Sequence, residues 1–337
     1  MTSVKALVTG ATGFLGAATV ARLRADGVYV RALVRAASAP CVVDERCVGD
    51  LRDTPSLARA VAGVDWVIHA GARVSTSGPW EEFEAVNVRA TQALIDCAAA
   101  AGVRRIVHVS SLSVYAVPAD GVRVTEDSPY DDSAGERGLY ARSKLAADQV
   151  ASRAMQGGAP VTIVRPGLLY GPGRLPPLAR RVAALGPVRM LLASPDYLLP
   201  LAFVDNVADA IGLAARSERA QGRAYTIVDV HARQADYARL YRQVSGARWV
   251  PVYAPLAVLR AAVSGAEHAA RLLGRSSPIT RHQVERTLRS ATFETRRAHD
   301  ELGWQPRVPM EEALRCSFAA RRSPAASEAG APAHSPA

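Results

Sequence analysis

Thr9-Gly10-Ala11-Thr12-Gly13-Phe14-Leu15-Gly16 is the stretch on which the reading of this 337-residue chain turns. An apolar run, Val4–Thr9, leads into it, and Phe14–Ala25, rich in Ala, Leu and Arg at helical spacing, leads out. Glycine at these positions permits a tight turn, lets backbone N–H groups approach a pyrophosphate, and lets the helix pack close to the strand. The spacing is GxxGxxG rather than GxGxxG. A glycine loop that closes a first strand and opens a first helix predicts a phosphate cradle rather than a plain turn.

The same rhythm continues outward. Val28–Val34, Val42–Val48, Asp65–His69, Arg104–Ser110 and Val161–Arg165 read as further strands, with helices over Thr54–Val61, Trp80–Ala101 and Tyr140–Ala154. Strand–helix alternation with right-handed crossovers gives an α/β fold: a doubly wound parallel sheet with ligands outside the carboxyl ends of its strands. After Arg165 the pattern loosens at Pro166, Gly167, Gly171, Pro172, Gly173, Pro176 and Pro177, then returns through a helix at Asp205–Arg216 and a strand at Ala224–Val228. The expected domains are a dinucleotide-binding unit over 1–165 plus 204–229 and a smaller, mainly helical substrate-binding region over 166–203 plus 230–320. A Pro/Ala/Ser-rich tail, 321–337, has little to bury and reads as disordered.

Composition narrows the class. Apolar residues are 49% and charged residues 21%, enough for a globular core. No apolar run reaches the ~18 residues a membrane-spanning helix needs, and the N-terminus shows no signal-peptide pattern. Cys41, Cys47, Cys97 and Cys316 have no paired or metal-ligand spacing, so reduced thiols in a cytoplasm and no metal are expected. The net charge of +10 invites a nucleic-acid reading, but only Lys5 and Lys144 are lysines and the arginines are scattered. A solvated arginine-rich surface, without a nucleic-acid partner, accounts for the charge.

Where a dinucleotide fold that takes NAD places an acid at the end of its second strand, this chain reads Val30-Arg31-Ala32-Leu33-Val34-Arg35. Arg35, helped by Ser38 or Arg31, is suited to a 2′-phosphate, so NADP (NADPH) is expected over NAD. Asp50 and Leu51 follow the third strand, where the adenine edge should lie. Tyr140-Ala141-Arg142-Ser143-Lys144 sets a phenol and an ammonium four residues apart on one helix face. A neighbouring cation favours phenolate, and a chain that uses arginine almost everywhere carries lysine here. Ser110-Ser111 ends the fifth strand, where a hydroxyl can hold a substrate oxygen against the phenol.

These motifs together resemble the extended short-chain dehydrogenase/reductases of the NAD-dependent epimerase/dehydratase superfamily. TGATGFLG (Thr9–Gly16), GDL (Gly49–Leu51), HAGA (His69–Ala72), NVRAT (Asn87–Thr91) and SSLSVY (Ser110–Tyr115) carry the resemblance. So do YARSK (Tyr140–Lys144), RPGLLYGPG (Arg165–Gly173), FVDNVADA (Phe203–Ala210) and ELGWQPR (Glu301–Arg307), covering all but the tail. The resemblance implies Ser111, Tyr140 and Lys144 as catalytic residues, with Asn87 ordering a proton relay or packing a helix. It implies cofactor contacts from Gly10, Thr12, Gly13, Phe14, Leu15, Gly16, Arg35, Asp50, Leu51, Ala70, Gly71, Ala72, Pro166 and Gly167, besides Tyr140 and Lys144. His69 reads as structural, and Asp205-Asn206 as orienting the junction with the substrate region.

Nucleotide-sugar epimerases and dehydratases are one branch of the resemblance. The Arg-Asp pair by which they grip a nucleotide would fall near Leu199-Pro200, and no acid follows the strand-end serine in Leu112–Tyr115. Met190-Leu191-Leu192, Tyr197–Leu201 and Pro255–Leu259 offer apolar surface for a hydrophobic substrate, worth about 25 cal/mol per Å² buried. The insert Pro255–Leu273 resembles the 3β-hydroxysteroid dehydrogenase and dihydroflavonol reductase branch, read here as a core or pocket lid, with weak membrane-surface association as the other reading. The expectation is an NADP-dependent oxidoreductase interconverting a ketone and a secondary alcohol on a hydrophobic small molecule of steroid, flavonoid or polyketide type. A nucleotide-sugar epimerase/dehydratase and a non-catalytic NADP-sensing regulator are the alternatives, and a homodimer is the family expectation.

Overall fold

The computed structural model describes residues 4–75, 77–175, 181–185, 188–191, 194–253, 256–272 and 289–322. Among them, seven strands form one all-parallel sheet: β1 (Lys5–Thr9), β2 (Tyr29–Val34), β3 (Glu45–Val48), β4 (Trp66–His69), β5 (Arg105–Val109), the Val161–Pro166 strand and the Ala224–Ile227 strand. Across the sheet the order runs Ala224–Ile227, Val161–Pro166, β5, β4, β1, β2, β3, so the chain reverses direction of winding between β1 and β4. That reversal is the topological switch at which doubly wound sheets open a crevice.

Both faces are covered, as the apolar runs of the strands require. On one face α1 (Phe14–Ala25) and the Val204–Arg216 helix pack over Val8, Ile68, Val107 and Val164. On the other, α2 (Thr54–Val61), the Ala90–Ala100 helix and the Leu139–Gln156 helix bury Leu7, Val67, Ile106 and Ile163. Alternate residues of each strand thus serve opposite cores.

The helix expected over Trp80–Ala101 is not regular. Trp80–Phe83 is α-helical, Glu84–Arg89 is a π turn, and Ala90–Ala100 resumes the α form. Such insertions cluster at functional sites because they re-aim one side chain; here that side chain is Asn87.

Beyond the sheet, Leu168–Tyr170, Leu198–Phe203 and Val230–Arg233 make a small second sheet. It packs Tyr170, Leu199, Leu201 and Phe203 against Tyr237 and Leu314 of the C-terminal helices Gln234–Ser245 and Met310–Arg322. Leu256–Leu272 is helical. Pro176, Pro177, Leu192, Pro255, Leu273 and the tail from Ser323 lie outside the described residues.

Candidate functional site

The loops that follow the carboxyl ends of the sheet strands converge on one cavity of about 920 Å³. Gly10, Thr12, Gly13, Phe14, Leu15 and Gly16 reach it after β1, Arg35 after β2, and Asp50 and Leu51 after β3. Ala70, Gly71 and Ala72 follow β4, Ser110 and Ser111 follow β5, and Pro166 and Gly167 come from the end of the Val161–Pro166 strand. Tyr140 and Lys144 complete it from the Leu139–Gln156 helix. The structure therefore brings together every residue expected to contact cofactor, and three of the four expected to act in catalysis. The fourth, Asn87, lies outside the cavity.

The glycine loop is shaped by close approach. Gly13 N–H donates to Gly10 carbonyl oxygen at 2.8 Å, closing the turn. Gly10 has φ 71°, and a Cβ there would meet Gly71 Cα at 2.7 Å; one on Gly16 would collide with Gly10 carbonyl oxygen. The first turn of α1 has Gly13 as its N-cap, no side-chain cap and no acid. Its orphan N–H groups and the positive end of the helix dipole are thus left for a ligand's phosphates. These features fit a dinucleotide pyrophosphate.

At the reacting end, Lys144 is buried and its Nζ donates to Val109 carbonyl oxygen at 2.7 Å. Burial pulls that ammonium down to about 8, and Asp148 one turn along opposes the pull. Burial pushes the Tyr140 phenol above its usual range, and the charge that works against this is the Arg174 guanidinium. Ser111 Oγ accepts from Ser113 N–H at 3.2 Å, capping the Leu112–Val114 turn. Asn87 donates to Ser143 Oγ at 2.8 Å and Arg73 carbonyl oxygen at 3.1 Å, and accepts from Arg73 N–H at 2.7 Å. The π turn aims Asn87 so that it ties the β4 loop to the helix of Tyr140, which is a positioning role.

His69 is bonded at both ring nitrogens, to Thr9 Oγ1 at 2.8 Å and Thr91 Oγ1 at 2.9 Å, and burial pulls it down to about 3. A neutral, doubly bonded imidazole of this kind holds β1 to the Ala90–Ala100 helix. Asn206 accepts from Arg307 N–H and Val308 N–H, both at 3.0 Å, and donates to Asp229 Oδ2 at 2.9 Å. It clips the ELGWQPR segment to the start of its own helix.

The model of the family described as NAD dependent epimerase/dehydratase matches residues 6–228, about two thirds of the chain. The chain belongs to this family. It is an NAD(P)-dependent enzyme of the short-chain dehydrogenase/reductase type. Among its relatives, 2-alkyl-3-oxoalkanoate reductase of Stenotrophomonas maltophilia is 30% identical over 93% of this chain and 98% of that one. The crystal structure of gox2253 is similar at TM-score 0.80 and 28% identity, over 95% of this chain and 98% of that one. MoeE5, solved with NAD and either UDP-glucuronic acid or UDP-glucose, is similar at TM-score 0.69 and 25% identity. That match covers 94% of this chain and at least 98% of MoeE5.

The expected preference for NADP over NAD is corrected: MoeE5 holds NAD. The geometry gives a physical reason. Arg31 donates to Glu45 and to the carbonyls of Ala60 and Ala62, so it is engaged away from the cavity. Ser38 lines a separate hollow with Val20, Arg24 and Cys41. Of these three residues only Arg35 lines the cavity, and it already acts on the ionised Asp50.

The expected hydrophobic substrate is corrected as well, since MoeE5 holds UDP-sugars. Leu199 and Leu201 are core, packed with Tyr170 and Tyr237. Met190, Leu191 and Tyr197–Leu201 contribute nothing to the cavity wall. Among the described residues no helix is long and apolar enough to cross a membrane. The sequence reading missed three features. Arg73 and Arg174 line the cavity. The Asp148–Arg165 ion pair is buried behind Lys144. An acid four residues beyond Lys144, on a face otherwise built from Ala147, Val150 and Ala151, was the visible signal for the last.

Proposed function

We propose that the chain is an NAD-dependent oxidoreductase/epimerase acting at a secondary alcohol carbon of a nucleotide-linked sugar. The observation that carries the reading is the meeting of Tyr140, Lys144 and Ser111 with the Gly10–Gly16 loop in one cavity. Bound there, the dinucleotide supplies the hydride acceptor and donor. Gly10–Gly16 hold its phosphates, and Leu51 and Ala70–Ala72 form its wall. Tyr140 oxygen takes the proton of the substrate hydroxyl in oxidation and returns it in reduction. Ser111 hydroxyl holds that same substrate oxygen, fixing its distance from the phenol. Lys144, anchored on Val109 carbonyl oxygen, keeps a cation beneath the reacting centre. Leu168, Leu169 and Arg174 border the same cavity on the substrate side.

No carboxylate stands in Leu112–Tyr115, so the acid that elimination of a sugar hydroxyl needs is missing from that turn. Epimerisation or plain oxidation fits better than dehydration. UDP-glucose and UDP-glucuronic acid, the sugars MoeE5 holds, are the first substrates to offer. The test is to incubate the purified protein with each sugar and NAD and to resolve the products by chromatography. An epimer or an oxidised sugar is expected. Sugars returned unchanged by protein that binds NAD would contradict the reading. A second reading, net reduction of a 3-oxo acid, rests on the 30% identity to 2-alkyl-3-oxoalkanoate reductase. NADH consumption with a 3-oxo acid, and none with the sugars, would favour it.

A further inference from the structure

Four arginines line the cavity, and they are not equivalent. Arg52 Nε pairs with Asp50 at 2.9 Å, and Arg73 Nη2 pairs with Glu82 at 2.8 Å. Arg35 lies at the β2 end, acting on Asp50. Arg174 has no carboxylate partner among the described residues. Its guanidinium instead lies over the ring of Phe14, 5.7 Å from the centroid.

The placement of Arg174 is built. Gly171 N–H donates to Arg174 carbonyl oxygen and Arg174 N–H donates to Gly171 carbonyl oxygen, each at 2.9 Å. This closed turn leaves no room for a side chain at Gly171, where a Cβ would meet Val204 Cγ1 at 2.6 Å and Phe14 Cζ at 3.1 Å. The turn therefore sits directly against Phe14 of the glycine loop, and Arg174 lines the cavity that Tyr140 also lines. An unneutralised guanidinium on an aromatic face, its N–H fork without a hydrogen-bond partner among the described residues, is the arrangement that recognises carboxylate or phosphate oxygens.

We propose that Arg174 is the substrate's anion receptor, holding a carboxylate or phosphate of the substrate beside Tyr140. The inference rests on the reading of Tyr140 as the proton-transfer group and adds the substrate class: the molecule oxidised or reduced here carries an anionic group near its reacting carbon. One residue then does two things. It orients the anion, and its positive field opposes the burial that pushes the Tyr140 phenol up.

The test is calorimetric titration of the NAD-loaded wild type, Arg174→Met and Arg174→Lys. The probes are UDP-glucuronic acid, UDP-glucose and 3-oxooctanoate, a carboxylate without a nucleotide. Loss of a charge-assisted pair predicts at least about tenfold weaker binding of an anionic probe to Arg174→Met, partly recovered in Arg174→Lys. NAD affinity, titrated separately, is expected to stay within about twofold. Weakening of UDP-glucuronic acid alone assigns the sugar carboxylate, and equal weakening of both UDP-sugars assigns the diphosphate; either supports the proposal. Equal weakening of NAD itself overturns it, because Arg174 then belongs to the dinucleotide. Unchanged affinity for every probe also overturns it, as does a wild type that binds none of the three. These are binding measurements, so a wild type that binds an anion through Arg174 yet turns over no sugar sinks the epimerase reading and leaves the receptor standing. For any probe that is turned over, the pH dependence of oxidation should move alkaline in Arg174→Met.

Discussion

Arg165 grips Asp148 with two parallel hydrogen bonds, Nε to Oδ2 at 2.9 Å and Nη2 to Oδ1 at 2.7 Å, one helical turn beyond Lys144. Both side chains are almost wholly buried, at 4% and 0% exposure. Tyr130 OH donates to the same carboxylate at 2.7 Å, and Arg165 donates to Tyr115 OH at 2.7 Å. The guanidinium beside it holds the Asp148 carboxyl below its ordinary value against burial. This knot ties the helix of Tyr140 and Lys144 to the strand before the substrate-side loop, so it sets where the reacting groups stand.

Removing one member of such a pair leaves the other buried without a counter-charge. Asp148→Asn is expected to lower unfolding free energy by about 3–5 kcal/mol, read by urea denaturation. The double variant Asp148→Leu with Arg165→Met should lose much less. Equal losses in the two would mean the pair itself, rather than the stranded charge, is what stabilises the fold.

Lys144 gives a pH dependence with a defined sign. Burial holds its pKa at about 8 against an ordinary 10.5, so the unfolded chain holds this proton more tightly. Below pH 8 the buried ammonium destabilises the fold in full, and the penalty fades as pH rises from 8 towards 10.5. Lys144→Met is expected to be more stable than wild type at neutral pH, by up to ~3 kcal/mol. That advantage should shrink through the same window in thermal unfolding. A gap that widens with rising pH would contradict the burial argument.

Cofactor choice turns on the Arg35 and Asp50 pair. The Arg52 guanidinium holds Asp50 down to about 2, so it is ionised at any working pH and opposes a 2′-phosphate near Arg35. Wild type should bind NAD more tightly than NADP in fluorescence titration. Asp50→Asn should raise NADP affinity by roughly twofold to fivefold, the size of an exposed charge interaction, with NAD little changed. A wild type that prefers NADP would show that Arg35 dominates its neighbour.

Most of the sheet was legible because each strand is an apolar run bounded by turn residues and each helix has its own period. Thr54–Val61 and Phe14–Ala25 fall where the spacing put them. The glycine loop was legible for the same reason: its residues are demanded by local backbone geometry. What the chain did not disclose depends on non-local contact. The π turn at Glu84–Arg89 arises where Asn87 meets Ser143, 56 residues away, and local periodicity carries no trace of it. The apolar stretch Tyr197–Leu201 could serve a pocket or a core, and only packing against Tyr237 and Leu314 decides for core. Arg31 looked available for a phosphate until its bonds to Glu45, Ala60 and Ala62 were visible. Arg174 was one arginine among many until the Gly171 turn set it on Phe14.

The central claim is that Tyr140 exchanges a proton with a substrate oxygen at the dinucleotide. The most direct measurement is deuterium transfer in a single turnover, from UDP-glucose labelled at its carbinol carbons to NAD bound by wild type and by Tyr140→Phe. The account predicts label on the NAD of the wild type and transfer about 10²–10⁴-fold slower in Tyr140→Phe, with NAD affinity unchanged. Equal transfer in both proteins, or none in a wild type that holds NAD and the sugar, would contradict it.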